Sequence, residues 1–174
     1  MKAYLDIETS FSNELTVIGF YVADNGTLIQ MVGEGITPDC LVDRLTGVKT
    51  IYTYNGNRFD LPVISQCLGV NLRRQFESRD LMYDCWKQNL KGGLKAVEQA
   101  LGIGRRIFGR GEDDPRILWR RYRLHRSLDA LERLLEYNRE DTLNLVLLEQ
   151  CLEEGRRRDD ALYSVPVDSY VRIM

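Results

Sequence analysis

Residues Lys2–Glu8 read KAYLDIE and predict an interior β-strand that carries two carboxylates. Successive side chains of a strand point to opposite faces. One face carries Ala3, Leu5 and Ile7, and the other carries Tyr4, Asp6 and Glu8. Asp6 and Glu8 therefore lie side by side and repel each other unless a cation lies between them. A half-exposed strand with a polar outer face is the alternative, but Asp is depleted in strands.

Outside this strand, the hydrophobic periodicity predicts strands first and helices later. The predicted strands are Leu15–Ala23, Thr27–Val32, Thr50–Tyr54 and Arg79–Tyr83, and the predicted helices are Pro38–Leu45, Leu61–Leu68, Gly93–Leu101, Leu118–Arg123, Leu128–Leu135 and Tyr137–Glu154. Asp24-Asn25-Gly26 is a strong hairpin-turn signal. The tail Leu162–Met174 is left unassigned. A meander followed by alternating strands and helices indicates an α/β domain with a mixed sheet.

Size and composition fit a single domain over residues 1–174. The hydrophobic fraction of 44% and the charged fraction of 29% are ordinary for a soluble globular protein. No apolar run approaches the roughly 20 residues of a membrane helix, and Asp6 and Glu8 interrupt any signal-peptide segment. We therefore expect a cytoplasmic protein without membrane contact. Its scattered cysteines and single His125 argue against a zinc site.

Positive charge is concentrated in one segment, although the net charge of the chain is −2. The segment carries Arg105, Arg106, Arg110, Arg116, Arg120, Arg121, Arg123 and Arg126 against Glu112, Asp113 and Asp114. Such a local excess of arginine is typical of a nucleic-acid contact surface. The candidate contacts are Arg105, Arg106, Arg110, Arg120 and Arg121. A solvated helical surface with local ion pairs explains the segment equally well.

Two further carboxylates follow in separate contexts. Asp60 lies in the stretch Tyr54–Pro62, which reads YNGNRFDLP. On its own it suits a helix N-cap, and a metal ligand is the second interpretation. Tyr137 and Asp141 are four residues apart, which places both on one face of a helix. A packed tyrosine beside a solvated aspartate explains that pair when it is taken alone.

The three motifs occur in a fixed order along the chain. They are a strand-borne D-x-E at Asp6, an N-x-x-x-F-D that ends at Asp60, and a helical Y-x-x-x-D that ends at Asp141. Together they resemble the DEDD superfamily of 3′→5′ exonucleases, in the subtype with tyrosine in its third motif. The stretch Tyr54–Pro62 is most similar to the stand-alone YprB-like branch. The histidine subtype does not fit, because Glu136 occupies the position of its histidine.

The resemblance, which spans about residues 3–145, implies a ribonuclease-H-like fold. That fold has a mixed five-stranded sheet in the order 3-2-1-4-5, with strand 2 antiparallel, flanked by helices. The implied catalytic residues are Asp6, Glu8, Asp60, Tyr137 and Asp141. Asp6 would bridge two metal ions. Glu8 and Asp141 would complete the ligands of the first ion, and Asp60 would support the second. Tyr137 would lie beside the attacking water.

Phosphodiester hydrolysis is the chemistry that these residue types suit. Two divalent cations roughly 3.5–4 Å apart activate the water and stabilise the phosphate and the leaving oxygen. Four carboxylates without histidine or cysteine favour Mg²⁺ or Mn²⁺ over zinc as the two ions. The ordinary tyrosine pKa of about 10 makes Tyr137 a poor general base at neutral pH. We therefore assign Tyr137 to orienting the water.

Three alternatives to an exonuclease are compatible with the sequence. They are a structure-specific endonuclease on the same fold, a non-catalytic nucleic-acid-binding module, and an unrelated α/β protein with a coincidental acidic strand. The non-catalytic module is disfavoured because all five motif positions carry the residues that catalysis would need. The third predicts that Asp6, Asp60 and Asp141 do not converge in space. The choice between DNA and RNA, and the oligomeric state, stay open.

Overall fold

The strand that carries Asp6 and Glu8 lies in the middle of a mixed β-sheet. In the computed structural model, which describes residues 1–155 and 165–174, six strands form this sheet in the order β5-β4-β1-β2-β3-β6. The strands are β1 Lys2–Thr9, β2 Leu15–Val22, β3 Thr27–Val32, β4 Thr50–Thr53, β5 Glu77–Asp80 and β6 Ser169–Ile173. Strand β2 is antiparallel to both β1 and β3. The other neighbours, β1 with β4, β4 with β5 and β3 with β6, are parallel.

The predicted fold class and strand order are confirmed, but the predicted number of strands is wrong. The order 3-2-1-4-5 is present, and β6 adds a sixth strand beside β3. Strand β6 is an edge strand whose side chains are only exposed or half-buried, so its sequence has no strong apolar alternation. It lies in the tail that the sequence left unassigned. The first part of that tail, residues 162–164, is outside the described residues.

The predicted fifth strand is also displaced. The sequence predicted Arg79–Tyr83, whereas β5 ends at Asp80 and a helix begins at Leu81. The reason is a side-chain cap, because the Asp80 carboxylate accepts a hydrogen bond of 3.2 Å from the backbone N–H of Met82. Such a cap satisfies a backbone donor at the start of a helix and favours helix over strand there.

Helices cover both faces of the sheet. They are α1 Pro38–Arg44, α2 Asp60–Leu68, α3 Leu72–Gln75, α4 Leu81–Lys87, α5 Leu94–Leu101, α6 Pro115–His125 and α7 Leu128–Glu154. The two helices predicted on either side of Glu136 are one continuous helix of 27 residues, α7. Ser127 caps it, as predicted, by accepting from the N–H of Ala130. Within the described part of the chain, no helix is both long and apolar enough to cross a membrane.

The two faces of β1 meet different partners. Ala3, Leu5 and Ile7 pack in one core with apolar residues of α1 and α2. On the opposite face, Tyr4 packs in a second core with α7 residues such as Leu145. Asp6 and Glu8 lie further along this second face. The fold thus directs the two carboxylates of β1 toward the long C-terminal helix.

Gly19 allows α7 to lie close against the sheet at this point. It pairs with Asp6 across the β1–β2 register. A side chain at position 19 would collide with the Asn138 side-chain oxygen, and its Cβ would lie 2.7 Å from the Thr142 hydroxyl oxygen. Only a residue without Cβ therefore fits between β2 and α7 at the level of Asp6.

Replacing Gly19 with alanine should destabilise the protein. We expect the Gly19→Ala variant to lose about 1–3 kcal/mol of unfolding free energy, because overpacking forces a rigid interface apart. Urea denaturation followed by circular dichroism measures the loss. Gly93→Ala is the matched control, since a Cβ at Gly93 meets no atom within 4 Å. An equal loss in both variants would contradict the close-approach argument.

Candidate active site

Three carboxylates from two elements converge above the sheet. Asp6 and Glu8 come from β1, and Asp141 comes from α7. Each offers an oxygen, and the three oxygens lie within 4.8 Å of one another. The predicted pairing of a strand-borne D-x-E with a helical aspartate is therefore realised in space. An arrangement of this kind offers a hard divalent cation the oxygen ligands that it prefers.

The electrostatics of this cluster favour a bound cation. Burial, and then the charge of Asp141, raise the pKa of Asp6 and of Glu8 well above their ordinary values. The Glu8 carboxylate oxygen Oε1 is buried and has no hydrogen-bond partner among the described residues. A buried acceptor without a partner is costly. A divalent cation would satisfy this oxygen and offset the mutual repulsion of the three carboxylates.

Asp60 lies beside this cluster as the first residue of α2. The N-cap position belongs to Phe59, which makes no side-chain cap, so the simple capping interpretation of Asp60 is wrong. Its carboxylate accepts a hydrogen bond of 3.2 Å from the backbone N–H of Ile7, between the two acidic residues of β1. Burial raises the pKa of Asp60 to about 7. The charge of Asp60 also raises the pKa of both Asp6 and Glu8, so the four carboxylates interact electrostatically.

The turn before Asp60 is held by a second aspartate. The buried carboxylate of Asp80 accepts from the backbone N–H of Asn55 at 2.7 Å and of Asn57 at 3.1 Å. Because these residues precede α2, Asp80 fixes the loop that delivers Asp60. Its role is structural, and it stands apart from the three converging carboxylates.

Tyr137 lies one turn before Asp141 on α7, as the motif requires. Its phenol oxygen accepts a hydrogen bond from Lys95, whose ammonium also lies 4.4 Å from the centre of the ring. Burial, followed by the charge of Asp141, raises the pKa of Tyr137 far above its ordinary value. Tyr137 therefore keeps its phenol proton at neutral pH, which agrees with an orienting role rather than a basic one.

The predicted arginine contacts differ in their exposure to solvent. The side chain of Arg105 is only 3% exposed, and it pairs with Asp141 and, at 2.9 Å, with Glu98. It is therefore an internal counter-ion of the site and not a surface contact. Arg106, Arg110 and Arg120 are exposed, while Arg121 on α6 is half-buried.

Arg120 lies on α6 together with Arg116. Both guanidinium groups lie over the exposed ring of Phe11, at 5.3 and 5.1 Å from its centre. Phe11 follows β1 in the chain, so this pair of arginines lies on the side of the domain where β1 ends.

Asn138 is the main site residue that the sequence did not identify. It is fully buried, and its amide nitrogen donates to the Asp6 carboxylate at 3.1 Å and to the Asp6 carbonyl at 3.3 Å. Its amide oxygen accepts from Gln30 at 2.9 Å, and the Gln30 oxygen accepts from the hydroxyl of Tyr170 at 2.9 Å. A chain of hydrogen bonds thus runs from β6 through β3 and α7 to Asp6.

One signal in the sequence could have pointed to Asn138. It lies beside Tyr137 and three residues before Asp141, so it shares the face of α7 that carries the aspartate. A polar residue on a helix face that is otherwise buried needs a partner. Lys95 gave no such signal, because its partner Tyr137 is 42 residues away in the chain.

Removing the Asn138 amide should weaken cation binding. We expect Asn138→Ala to lower the affinity for Mn²⁺ by about 10–100-fold, since residues that orient a ligand contribute that much to metal affinity. Isothermal titration calorimetry measures the affinity, and thermal unfolding confirms that the variant is folded. Thr142→Val is the control on the same helix face, because the buried Thr142 hydroxyl has no hydrogen-bond partner among the described residues. Unchanged affinity in Asn138→Ala would refute the role.

The raised pKa of Asp60 predicts how stability depends on pH. Since the folded pKa of about 7 exceeds the ordinary value, the folded state binds more protons than the unfolded state between these values. In EDTA, the unfolding free energy should therefore fall as the pH rises from about 5 to about 8. Asp60→Asn should flatten this fall, whereas Asp43→Asn, at an exposed position, should not. Urea titrations at several pH values test it, and stability that rises over this range would contradict it.

The comparison with known families agrees with this geometry. A family model described as RNase_H superfamily matches residues 3–153. The matched region contains the whole site, from Asp6 on β1 to Asp141 on α7. No curated protein matches the chain. The sheet with helices on both faces and the buried acidic cluster are consistent with that family, whose fold indicates a nuclease that hydrolyses nucleic acid. The chain therefore belongs to the RNase H superfamily.

Proposed function

We propose that this protein is a metal-dependent 3′→5′ exonuclease that acts on single-stranded ends of DNA or RNA. Within the superfamily we assign it to the DEDD exonucleases with a tyrosine in the third motif, and to their stand-alone YprB-like branch. The observation that carries the proposal is the convergence of Asp6, Glu8 and Asp141, with Tyr137 one turn away on the same helix. A cytoplasmic location is part of the same proposal.

The residues present fit two Mg²⁺ or Mn²⁺ ions, which would activate water and stabilise the leaving oxygen when bound. Asp6 would help to hold both ions, as the resemblance to the DEDD exonucleases implies. Glu8 and Asp141 would complete the ligands of one ion, and Asp60 would support the other. Asn138 holds the Asp6 carboxylate in one orientation.

Tyr137 and Lys95 would position the attacking water and the phosphate. The phenol proton stays on Tyr137, so the hydroxyl can donate a hydrogen bond while its oxygen accepts from Lys95. The Lys95 ammonium provides a positive charge beside the acidic cluster, where its field lowers the pKa of Glu8 against the effect of burial. A positive charge at this place would also attract the negatively charged backbone of the substrate.

The alternatives differ in what they require of the site. An unrelated α/β protein would not bring Asp6, Asp60 and Asp141 together. The convergence of Asp6 and Asp141 argues against it, as does Asp60, whose charge raises the pKa of Asp6. A structure-specific endonuclease would use the same cluster, and product analysis separates it from an exonuclease. A non-catalytic binding module would retain affinity for nucleic acid without hydrolysis.

The assay uses 5′-labelled single-stranded DNA and RNA in Mg²⁺, Mn²⁺ or EDTA. We expect a ladder that shortens from the 3′ end, requires a divalent cation and is lost in the Asp6→Ala variant. The loss should be at least about 100-fold, because removing a ligand costs more than removing a residue that orients one. Asp43→Ala is the matched control, since Asp43 is an exposed carboxylate on α1.

Each other result would replace the proposal with a defined alternative. Cleavage at internal positions would establish an endonuclease. Binding without cleavage would establish a non-catalytic module. Equal activity of Asp6→Ala and the unaltered protein would show that the acidic cluster is not the catalytic site.

A further inference from the structure

A groove beside the acidic cluster is not used by the chemistry described above. It has a volume of about 560 Å³ and lies between α5 and the segment that follows it, residues 103–110. Its walls include Lys95, Gln99, Arg105, Phe108 and Arg110. The volume falls within the range of about 300–1,000 Å³ that is common for small-ligand sites.

Two residues in the wall of the groove contact residues of the candidate active site. Lys95 lines it and also donates to the phenol oxygen of Tyr137. Arg105 lines it and pairs with Asp141. A ligand in the groove would therefore lie next to any phosphate that is bound at the acidic cluster.

The charge of the groove suits an anion. Arg105 is neutralised by Glu98 and Asp141. Lys95 and Arg110 form no ion pair with any carboxylate in residues 1–155 or 165–174. Two cations that form no ion pair within the described residues and that line one groove are suited to the repeated phosphates of a nucleic-acid strand.

Phe108 presents an apolar ring within the same groove. Its side chain is 55% exposed, although large apolar residues are usually buried. The backbone beneath it is held in place, because Glu140 accepts from the N–H groups of Arg106 at 2.7 Å and Ile107 at 3.0 Å. The Arg105 guanidinium also donates to the Ile107 carbonyl at 2.7 Å. An exposed aromatic ring on a fixed backbone is a suitable platform for an unpaired base.

We propose that this groove binds one nucleotide of a single-stranded substrate, next to the phosphate that is cleaved. The base stacks on Phe108, Arg110 contacts a backbone phosphate, and Lys95 faces the phosphate at the acidic cluster. This inference rests on the proposed function, because it assumes a nucleic-acid substrate. A base within a duplex is already stacked and paired, so the groove selects single strands.

The test measures binding separately from cleavage. Short fluorescein-labelled DNA and RNA strands with hydrolysis-resistant phosphorothioate linkages are titrated in Ca²⁺, and fluorescence anisotropy gives the dissociation constant. We expect Phe108→Ala to weaken binding about ten-fold, in line with the loss of one stacked base. Phe108→Trp should restore it. Leu124→Ala is the control, because Leu124 is also an exposed apolar residue, with 69% of its surface accessible, near the end of α6.

Arg110 has a different expected signature. Arg110→Ala should reduce the slope of log affinity against log salt concentration by about 0.7, the value for one phosphate contact on a single strand. Phe108→Ala should leave this slope unchanged. Arg73→Ala, an exposed arginine on α3, is the charge-matched control. An unlabelled blunt duplex should compete at least about ten-fold less well than the single strand.

The outcomes separate this inference from the proposed function. If the protein cleaves nucleic acid and neither Phe108→Ala nor Arg110→Ala weakens binding, the nucleotide-binding role of the groove is wrong. The proposed nuclease function is then unaffected. If the protein cleaves no nucleic acid and both variants weaken binding, the groove binds nucleic acid as proposed. The proposed nuclease function is then wrong. Equal competition by the duplex would overturn the single-strand selectivity.

Discussion

The mutual repulsion of buried carboxylates is the constraint on which this structure is built. Oxygens of Asp6, Glu8 and Asp141 lie within 4.8 Å of one another, an arrangement that is unfavourable without compensating positive charge. The surroundings supply part of that charge. Arg105 forms an ion pair with Asp141, and the charge of Lys95 lowers the pKa of Glu8. The Glu8 oxygen Oε1, which has no hydrogen-bond partner in the described part of the chain, is where a cation would add to this compensation.

Helix α7 connects this constraint to the fold. Its beginning packs with α6 against β2 and β3, its middle carries Tyr137, Asn138 and Asp141, and its end packs on the second face of the sheet. Because one continuous helix carries Asp141 and packs in an apolar core at each end, the position of Asp141 depends on both cores. Gly19 sets how closely the helix can approach the sheet at the level of Asp6. Stability and site geometry are therefore coupled.

The parts of this structure that the sequence predicted are those with a local signature. Alternation in β1 placed Asp6 and Glu8 on one face, and helical spacing placed Tyr137 beside Asp141. The buried position of Arg105 could not be predicted, because its partner Asp141 is 36 residues away in the chain.

Three other features escaped prediction for related reasons. Asn138 binds a carboxylate 132 residues earlier in the chain. Strand β6 depends on a parallel partner and not on its own periodicity. The single helix α7 replaced two predicted ones because nothing at Glu136 breaks a helix.

The hydrogen-bond chain that ends on Asp6 has a consequence for biosynthesis. Its outermost donor is Tyr170, on a strand that pairs with β3 although it follows α7 in the chain. Domains can begin to fold while the ribosome is still adding residues. During that time the hydrogen bond between Gln30 and Asn138 can form, but the hydrogen bond from Tyr170 to Gln30 cannot. The orientation of the Asp6 carboxylate is thus completed by a residue that is translated after β1, β3 and α7, which delays a fully ordered site until β6 is available to pair with β3.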